Sequence, residues 1–166
     1  MSSCDRKSFV LALSVMAFAA LAGCGFAPVY GPGGTGTALR GKVAVQAPQT
    51  PDDYLLVRDL EDRLGRAGQP EYRLGYTLAT LTQGQAVTPS NETTRYSIVG
   101  TVDYTLTRDE TGATVASGQV RNFTGYSATG STVETLAGER DARERLMTIL
   151  ADQIVTRLYA MADVSQ

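Results

Sequence analysis

Between Tyr96 and Leu106 apolar and polar side chains alternate. Tyr96, Ile98, Val102, Tyr104 and Leu106 fall on one face, with Ser97, Thr101, Asp103, Thr105 and Thr107 on the other. A period of two predicts a half-buried strand, here from about 93 to 107. Tyr72, Leu74, Tyr76 and Leu78 alternate in the same way with Arg73, Gly75, Thr77 and Ala79. A loop carrying Gly84, Pro89 and Asn91 is expected between these two strands. Asp109-Glu110-Thr111-Gly112 reads as a turn in which Gly112 supplies a positive φ. Residues 114–126 then return as a weaker strand, with Gly118 and Gly125 marking bulges or close contacts. Lys42 to Ala47 forms a first strand, ended by Pro48.

Two stretches switch to a helical period. Thr50-Pro51-Asp52-Asp53 combines an N-cap, a proline at the first helical position and acids in the first turn. Leu56, Leu60 and Leu64 follow on one stripe, and Gly65 and Gly68 bracket the stop, so a helix is expected over about 52–66. Ser131-Thr132-Val133-Glu134 has capping-box spacing and opens a second helix near 132. Its expected apolar stripe is Leu136, Ala142, Leu146, Ile149, Leu150, Ile154, Leu158 and Met161. About 30 residues at 1.5 Å give roughly 45 Å of helix, close to the reach of the longest strand. The expected fold is α/β (α+β), a two-layer sandwich. Its sheet is four-stranded, mixed and mainly antiparallel, with two helices on the apolar face, in the order β-α-β-β-β-α.

The start of the chain has another logic. Asp5-Arg6-Lys7 precedes an apolar run from Phe9 to Ala20, and Leu21-Ala22-Gly23-Cys24 follows. That order is a secretory leader. The run of 12 residues is short of the roughly 20 a spanning helix needs. Small residues ahead of a cysteine form the pattern of a bacterial lipoprotein, in which the Cys24 sulfur takes a diacylglycerol and the amine left by cleavage an N-acyl chain. The expected organisation is a signal peptide over 1–23, a lipidated cysteine and flexible tether over 24–41, and a single domain over 42–166. Gly31-Pro32-Gly33-Gly34-Thr35-Gly36 matches G-x-G-x-x-G literally. It follows no strand and opens no predicted helix, so it reads as tether and not as a phosphate loop.

Composition narrows the functions. The 166-residue chain less its first 23 leaves 143 residues, enough for one domain with a real core. The whole carries a net charge of −2 and the leader +1, so the remainder stands at −3, too mild to point to nucleic acid. There is no His, and the cysteines are Cys4 in the leader and Cys24, leaving no thiol for a disulfide, a metal or a nucleophile. Lys42 is the one lysine beyond the leader. The usual bases and nucleophiles are therefore missing. Gly125-Tyr126-Ser127-Ala128-Thr129 fails the G-x-S-x-G elbow at its last position. No metal-ligand spacing occurs. Acidic pairs such as Asp52/Asp53 and Glu61/Asp62 fit capped, solvated helix surfaces. A periplasmic two-carboxylate enzyme stays as an alternative. Binding has more support: the polar sheet face is rich in Thr and Ser, with Arg73, Arg95 and Arg121 on or beside its strands, suiting a large partner or an anionic lipid head group.

Leu21-Ala22-Gly23-Cys24-Gly25-Phe26-Ala27-Pro28-Val29-Tyr30 resembles the start of the LPS-assembly lipoproteins, the LptE family, where Cys-Gly-Phe and Pro-x-Tyr recur. Tyr96 to Leu106 resembles the long central strand of that family, and the segment around Gly118, Arg121, Tyr126 and Ser127 its next strand. Glu139-Arg140-Asp141-Ala142 through Leu150-Ala151-Asp152-Gln153-Ile154 is similar to its C-terminal helix. The resemblance implies a non-enzymatic, outer-membrane, lipid-anchored protein facing the periplasm. It implies a plug inside the LptD β-barrel that helps assemble the barrel, binds lipopolysaccharide and assists its delivery to the outer leaflet. It implies no cofactor beyond the acyl chains on Cys24. Arg95 and Arg121 are candidate lipopolysaccharide contacts by location. Gly25 after the cysteine, in place of the Asp that retains lipoproteins in the inner membrane, agrees with outer-membrane sorting. An auxiliary lipoprotein of an ABC-type lipid transporter is the other binding alternative.

Overall fold

The computed structural model describes residues 29, 31, 34–87 and 93–162, the side chains of 86 and 87 apart. Three helices and four strands occur in it: α1 (Thr35–Leu39), β1 (Val43–Val45), α2 (Pro51–Leu64), β2 (Tyr72–Val87), β3 (Thr93–Arg108), β4 (Thr114–Ser127) and α3 (Thr132–Met161). The sheet runs β1-β2-β3-β4. β1 is parallel to β2, and the other neighbours are antiparallel. The mixed, mainly antiparallel sheet of the expected α+β class is therefore present. Two helices in the order β-α-β-β-β-α are corrected to three in the order α-β-α-β-β-β-α.

The added helix is α1, five residues inside the stretch expected to be tether. A Thr-Gly-Thr-Ala-Leu segment has poor helix propensity and too few turns to show a period. One apolar side chain holds it: Leu39 is fully buried in the core. The chain then turns through Gly41 at φ 71°, whose N–H donates to the Leu64 carbonyl at the end of α2 at 2.7 Å. Gly65 closes α2 at φ 78°, and a Cβ there would sit 3.2 Å from the Gly41 nitrogen. Both glycines are needed where the two segments cross.

Both long helices start on the caps read from their sequence, and the cap at Thr50 proves to be a full capping box. The Thr50 hydroxyl accepts from the Asp53 N–H at 3.1 Å, and the Asp53 carboxylate accepts from the Thr50 N–H at 3.0 Å. Ser131 and Glu134 repeat the exchange at α3. There the two bonds to Ser131 hold the Glu134 carboxyl below its ordinary range. Leu56, Leu60 and Leu64 of α2 meet Ala142, Leu146, Leu150, Ile154 and Leu158 of α3 over Tyr72, Leu74, Ile98, Val102, Tyr104 and Leu106 of the sheet. Leu136 and Met161, expected on the α3 stripe, are exposed, while Met147, Ala151 and Val155 join the core. The stripe is thus wider than the leucines alone suggested and covers only the middle of the helix.

Polar contacts join the two helices beside this core. Arg143 bridges Asp52 and Glu139, both at 2.8 Å, and Arg58 reaches Glu144 at 3.0 Å. Arg63 pairs with Asp152. The buried Asp59 carboxylate accepts from the Thr148 hydroxyl at 2.6 Å and from Arg58 Nε at 3.0 Å, so it is satisfied where an unpaired charge would be costly.

β2 is longer than expected. Gly84 lies within the strand and not in a loop, because residues up to Val87 find partners on β3 as far as Thr93, with register shifts around Ala86. At the other end Gly112 turns the β3–β4 hairpin at φ 70°. Gly118 and Gly125 are close contacts and not bulges: the β3–β4 register shifts only between Leu106 and Thr107. A Cβ at Gly118 would stand 2.8 Å from the Tyr104 hydroxyl, and one at Gly125 3.3 Å from the Tyr96 carbonyl.

Candidate functional site

The face of the sheet away from the helices carries the odd-numbered side chains of β2, β3 and β4. Strand register orders them into rows, since residues paired across antiparallel strands point the same way. Leu81, Val99 and Phe123 make one row. Leu81 is 58% exposed and Phe123 67%, so this row is apolar surface left in water. Next to it lie Ala79, Thr101 and Arg121, and on its other side Gln83, Ser97 and Gly125. Arg95 and Ser127 follow one row farther. A Cβ at Gly125 would come 3.7 Å from Arg95 Nε and 3.9 Å from Nη2, so the guanidinium lies across the space that glycine leaves.

Arg95 and Arg121 thus stand on opposite sides of the apolar row. Six residues separate Arg95 from Thr101, the partner of Arg121, which is about 20 Å along the strand. Six arginines are neutralised: Arg58, Arg63, Arg66, Arg73, Arg143 and Arg145 each hold a carboxylate. Among the described residues Arg95 and Arg121 hold none. A guanidinium with free donors beside exposed aromatic and aliphatic carbon can take an amphiphile whose anionic groups and hydrocarbon are adjacent. The third arginine expected on this face, Arg73, is spent on Asp109 at 2.7 Å. Cys24 lies outside the described residues.

Arg95 and Arg121 were legible in the sequence; the apolar row between them was not. Val99 and Phe123 interrupt the polar face of their strands, and Leu81 lies past the expected end of β2. Counting outward from the Asp109–Gly112 turn pairs Val99 with Asn122; only the register shift between Leu106 and Thr107 brings Phe123 opposite Val99. A cleft of about 610 Å³ lies elsewhere, between the end of β1 and Arg73, Gly75, Thr105 and Thr107, and holds neither free arginine. Among the described residues no group of His, Cys, Asp and Glu could hold a metal ion. No described helix is long and apolar enough to cross a membrane.

The lipopolysaccharide-assembly family LptE matches residues 41–158. The chain belongs to the LptE lipopolysaccharide-assembly family. It is accordingly a non-enzymatic protein of the lipopolysaccharide-assembly lipoprotein class. No curated protein sequence matches it. Solved structures share the fold. A candidate lipoprotein from Caulobacter crescentus CB15 is 24% identical with a TM-score of 0.63, covering 76% of this chain and 93% of its own. The rare lipoprotein B from Shewanella oneidensis is 10% identical with a TM-score of 0.55, over 72% and 92%. A minor lipoprotein from Acinetobacter baumannii is 19% identical with a TM-score of 0.50, over 72% and 91%.

Proposed function

We propose that this LptE-family chain is anchored by acyl chains on Cys24 in the outer membrane and faces the periplasm. There it plugs an LptD-type β-barrel, helps that barrel assemble and assists lipopolysaccharide into the outer leaflet. Membership of the family supports the barrel and lipopolysaccharide as partners. One observation supports the lipid contact: two unpaired arginines bracket the exposed Leu81–Val99–Phe123 row. In this reading Arg95 and Arg121 take phosphates or sugar carboxylates, and the row meets acyl carbon.

Binding of purified lipopolysaccharide to the delipidated chain tests that contact. Arg95→Ala and Arg121→Ala should each weaken it several-fold, the loss shrinking at high salt as screening would require. Affinity unchanged in the double variant would refute the assignment. The partner is tested separately, by recovering an LptD-type barrel with the lipidated chain in mild detergent; recovery of an inner-membrane transporter complex would favour the ABC-type alternative. Failure of Cys24→Ala to abolish labelling by a palmitate analogue would refute the anchor.

A further inference from the structure

The two edges of the sheet are finished differently. On β4 the odd residues turn their backbone groups away from β3, and α3 covers several of them. The Gln119 carbonyl accepts from Arg157, the Gly125 carbonyl from Arg145 at 3.3 Å, and the Phe123 N–H donates to the Asn122 side chain at 2.8 Å. That edge is blunted by side chains. On β2 the even residues turn outward: the Tyr72 N–H donates to the Lys42 carbonyl at 3.1 Å, and the Leu74 carbonyl accepts from the Gln46 N–H at 2.9 Å. There β1 ends. The β2 register continues unbroken to Gly84, so Tyr76, Leu78 and Thr80 present their N–H and C=O groups to the same side. Among the described residues nothing bonds those backbone groups. A row of unpaired strand groups templates another strand, and proteins ordinarily block it, as β4 does here.

A cleft of about 380 Å³ opens beside this edge, lined by Leu78 and Thr80 with Thr50, Pro51, Asp52 and Arg143. It lies on the helix side of the sheet, so every second side chain of an added strand would point into it. Leu78 and Pro51 give it apolar walls. At its rim Asp52 shares Arg143 with Glu139, each at 2.8 Å, so two carboxylates stand against one guanidinium and an acidic side chain is disfavoured.

We propose that the Tyr76–Thr80 edge of β2 binds an extended segment of another protein by strand addition, with an uncharged apolar side chain of that segment in the Pro51–Leu78 cleft. Main-chain bonds would supply the affinity and the cleft the selectivity. A second copy of this chain fits the edge less well. Two-fold pairing of β2 with β2 about this window sets the acidic first turns of both α2 helices, Asp52 and Asp53, against each other. The surface is separate from the outer sheet face and needs no lipid.

The test pans a random eight-residue peptide library on the purified full chain, then measures amide hydrogen exchange with a synthesised selected peptide. The amides of Tyr76, Leu78 and Thr80 should slow at least tenfold, while Arg121 and Phe123 do not change. Thr80→Pro removes an outward N–H and no ladder bond, and should weaken binding at least tenfold more than Thr80→Ala, which trims the cleft wall but keeps the amide. A peptide N-methylated on its edge-facing amides should also lose binding, a readout independent of how Thr80→Pro folds. Protection elsewhere, N-methylated and parent peptides binding alike, or a library that yields no binder would overturn the proposal. So would protection of the same amides that rises with protein concentration alone, which would assign the edge to a second copy.

Discussion

Gly100 of β3 lies directly beneath Leu146 and Leu150 of α3, and its replacement has a magnitude that the geometry sets. A Cβ there would lie 2.8 Å from Leu150 Cδ1, 3.1 Å from Leu146 Cδ2 and 3.4 Å from Leu146 Cγ. Both leucines are fully buried, so their tips have little room to retreat. Overpacking of this kind costs about 1–3 kcal/mol. Against it stands the entropy a Gly→Ala change removes from the unfolded chain, about 0.4–1 kcal/mol. Gly100→Ala should therefore destabilise by about 0.5–2 kcal/mol, and Gly100→Val by more. Gly68→Ala is the control: a Cβ there meets nothing within 4 Å, so only the favourable entropy remains. Urea unfolding monitored by circular dichroism reads both. The decisive comparison adds Leu150→Ala, which alone should cost about 2–5 kcal/mol for its cavity. In the double variant the new methyl enters that cavity, so the combined loss should fall short of the sum by about 1 kcal/mol or more. Additive losses, or a Gly100→Ala protein as stable as the parent, would refute the close-packing account.

Two further outcomes follow from features described above. Leu39→Ala should cost about 2–5 kcal/mol and free α1 from the core, seen as a lowered urea midpoint and faster proteolysis around 34–41; an unchanged midpoint would show that α1 contributes nothing. Burial, reinforced by the Asp53 charge, pushes the Tyr76 hydroxyl from its ordinary 10.0 up to about 12. A raised pKa means the folded state holds the proton more tightly, so this stability is complete below pH 10 and is lost as pH rises from there through 12. Tyr76→Phe should flatten that limb of a stability–pH curve, and an identical limb in the variant would place the titrating group elsewhere.

Local signals carried the parts of the fold that local chemistry decides. Alternation from Tyr96 to Leu106 found β3, and the Thr50/Asp53 and Ser131/Glu134 pairs placed two helix starts that the structure closes with reciprocal hydrogen bonds. What escaped was decided by partners distant in sequence. Gln83 and Gly84 have low strand propensity, yet the length of β3 pairs them with Ser97 and Tyr96, and pairing overrides preference. Thr35–Leu39 has no helical period to read; the pocket that takes Leu39 exists only once α3 is docked. Apolar type alone puts Leu136 on the stripe, but at that turn of α3 it is Gly138 that faces Tyr126 of the sheet, and Leu136 stays exposed. The site divided along the same line. Charge type pointed to Arg95 and Arg121, while the apolar row between them depends on the register of three strands.

Burial of Leu39 also has a mechanical consequence. Among the described residues, a chain held from its N-terminal side is first tied into the core at α1, and tension passes next into β1, which has only three residues paired with β2. The β4 edge lies off that load path, and α3 meets it only where Leu39 is packed. Pulling on this protein should therefore strip α1 and β1 as one short unit, at modest force, and lengthen the leash before the main body yields. The small N-terminal attachment thus acts as a mechanical fuse between a fixed end and the rigid sheet.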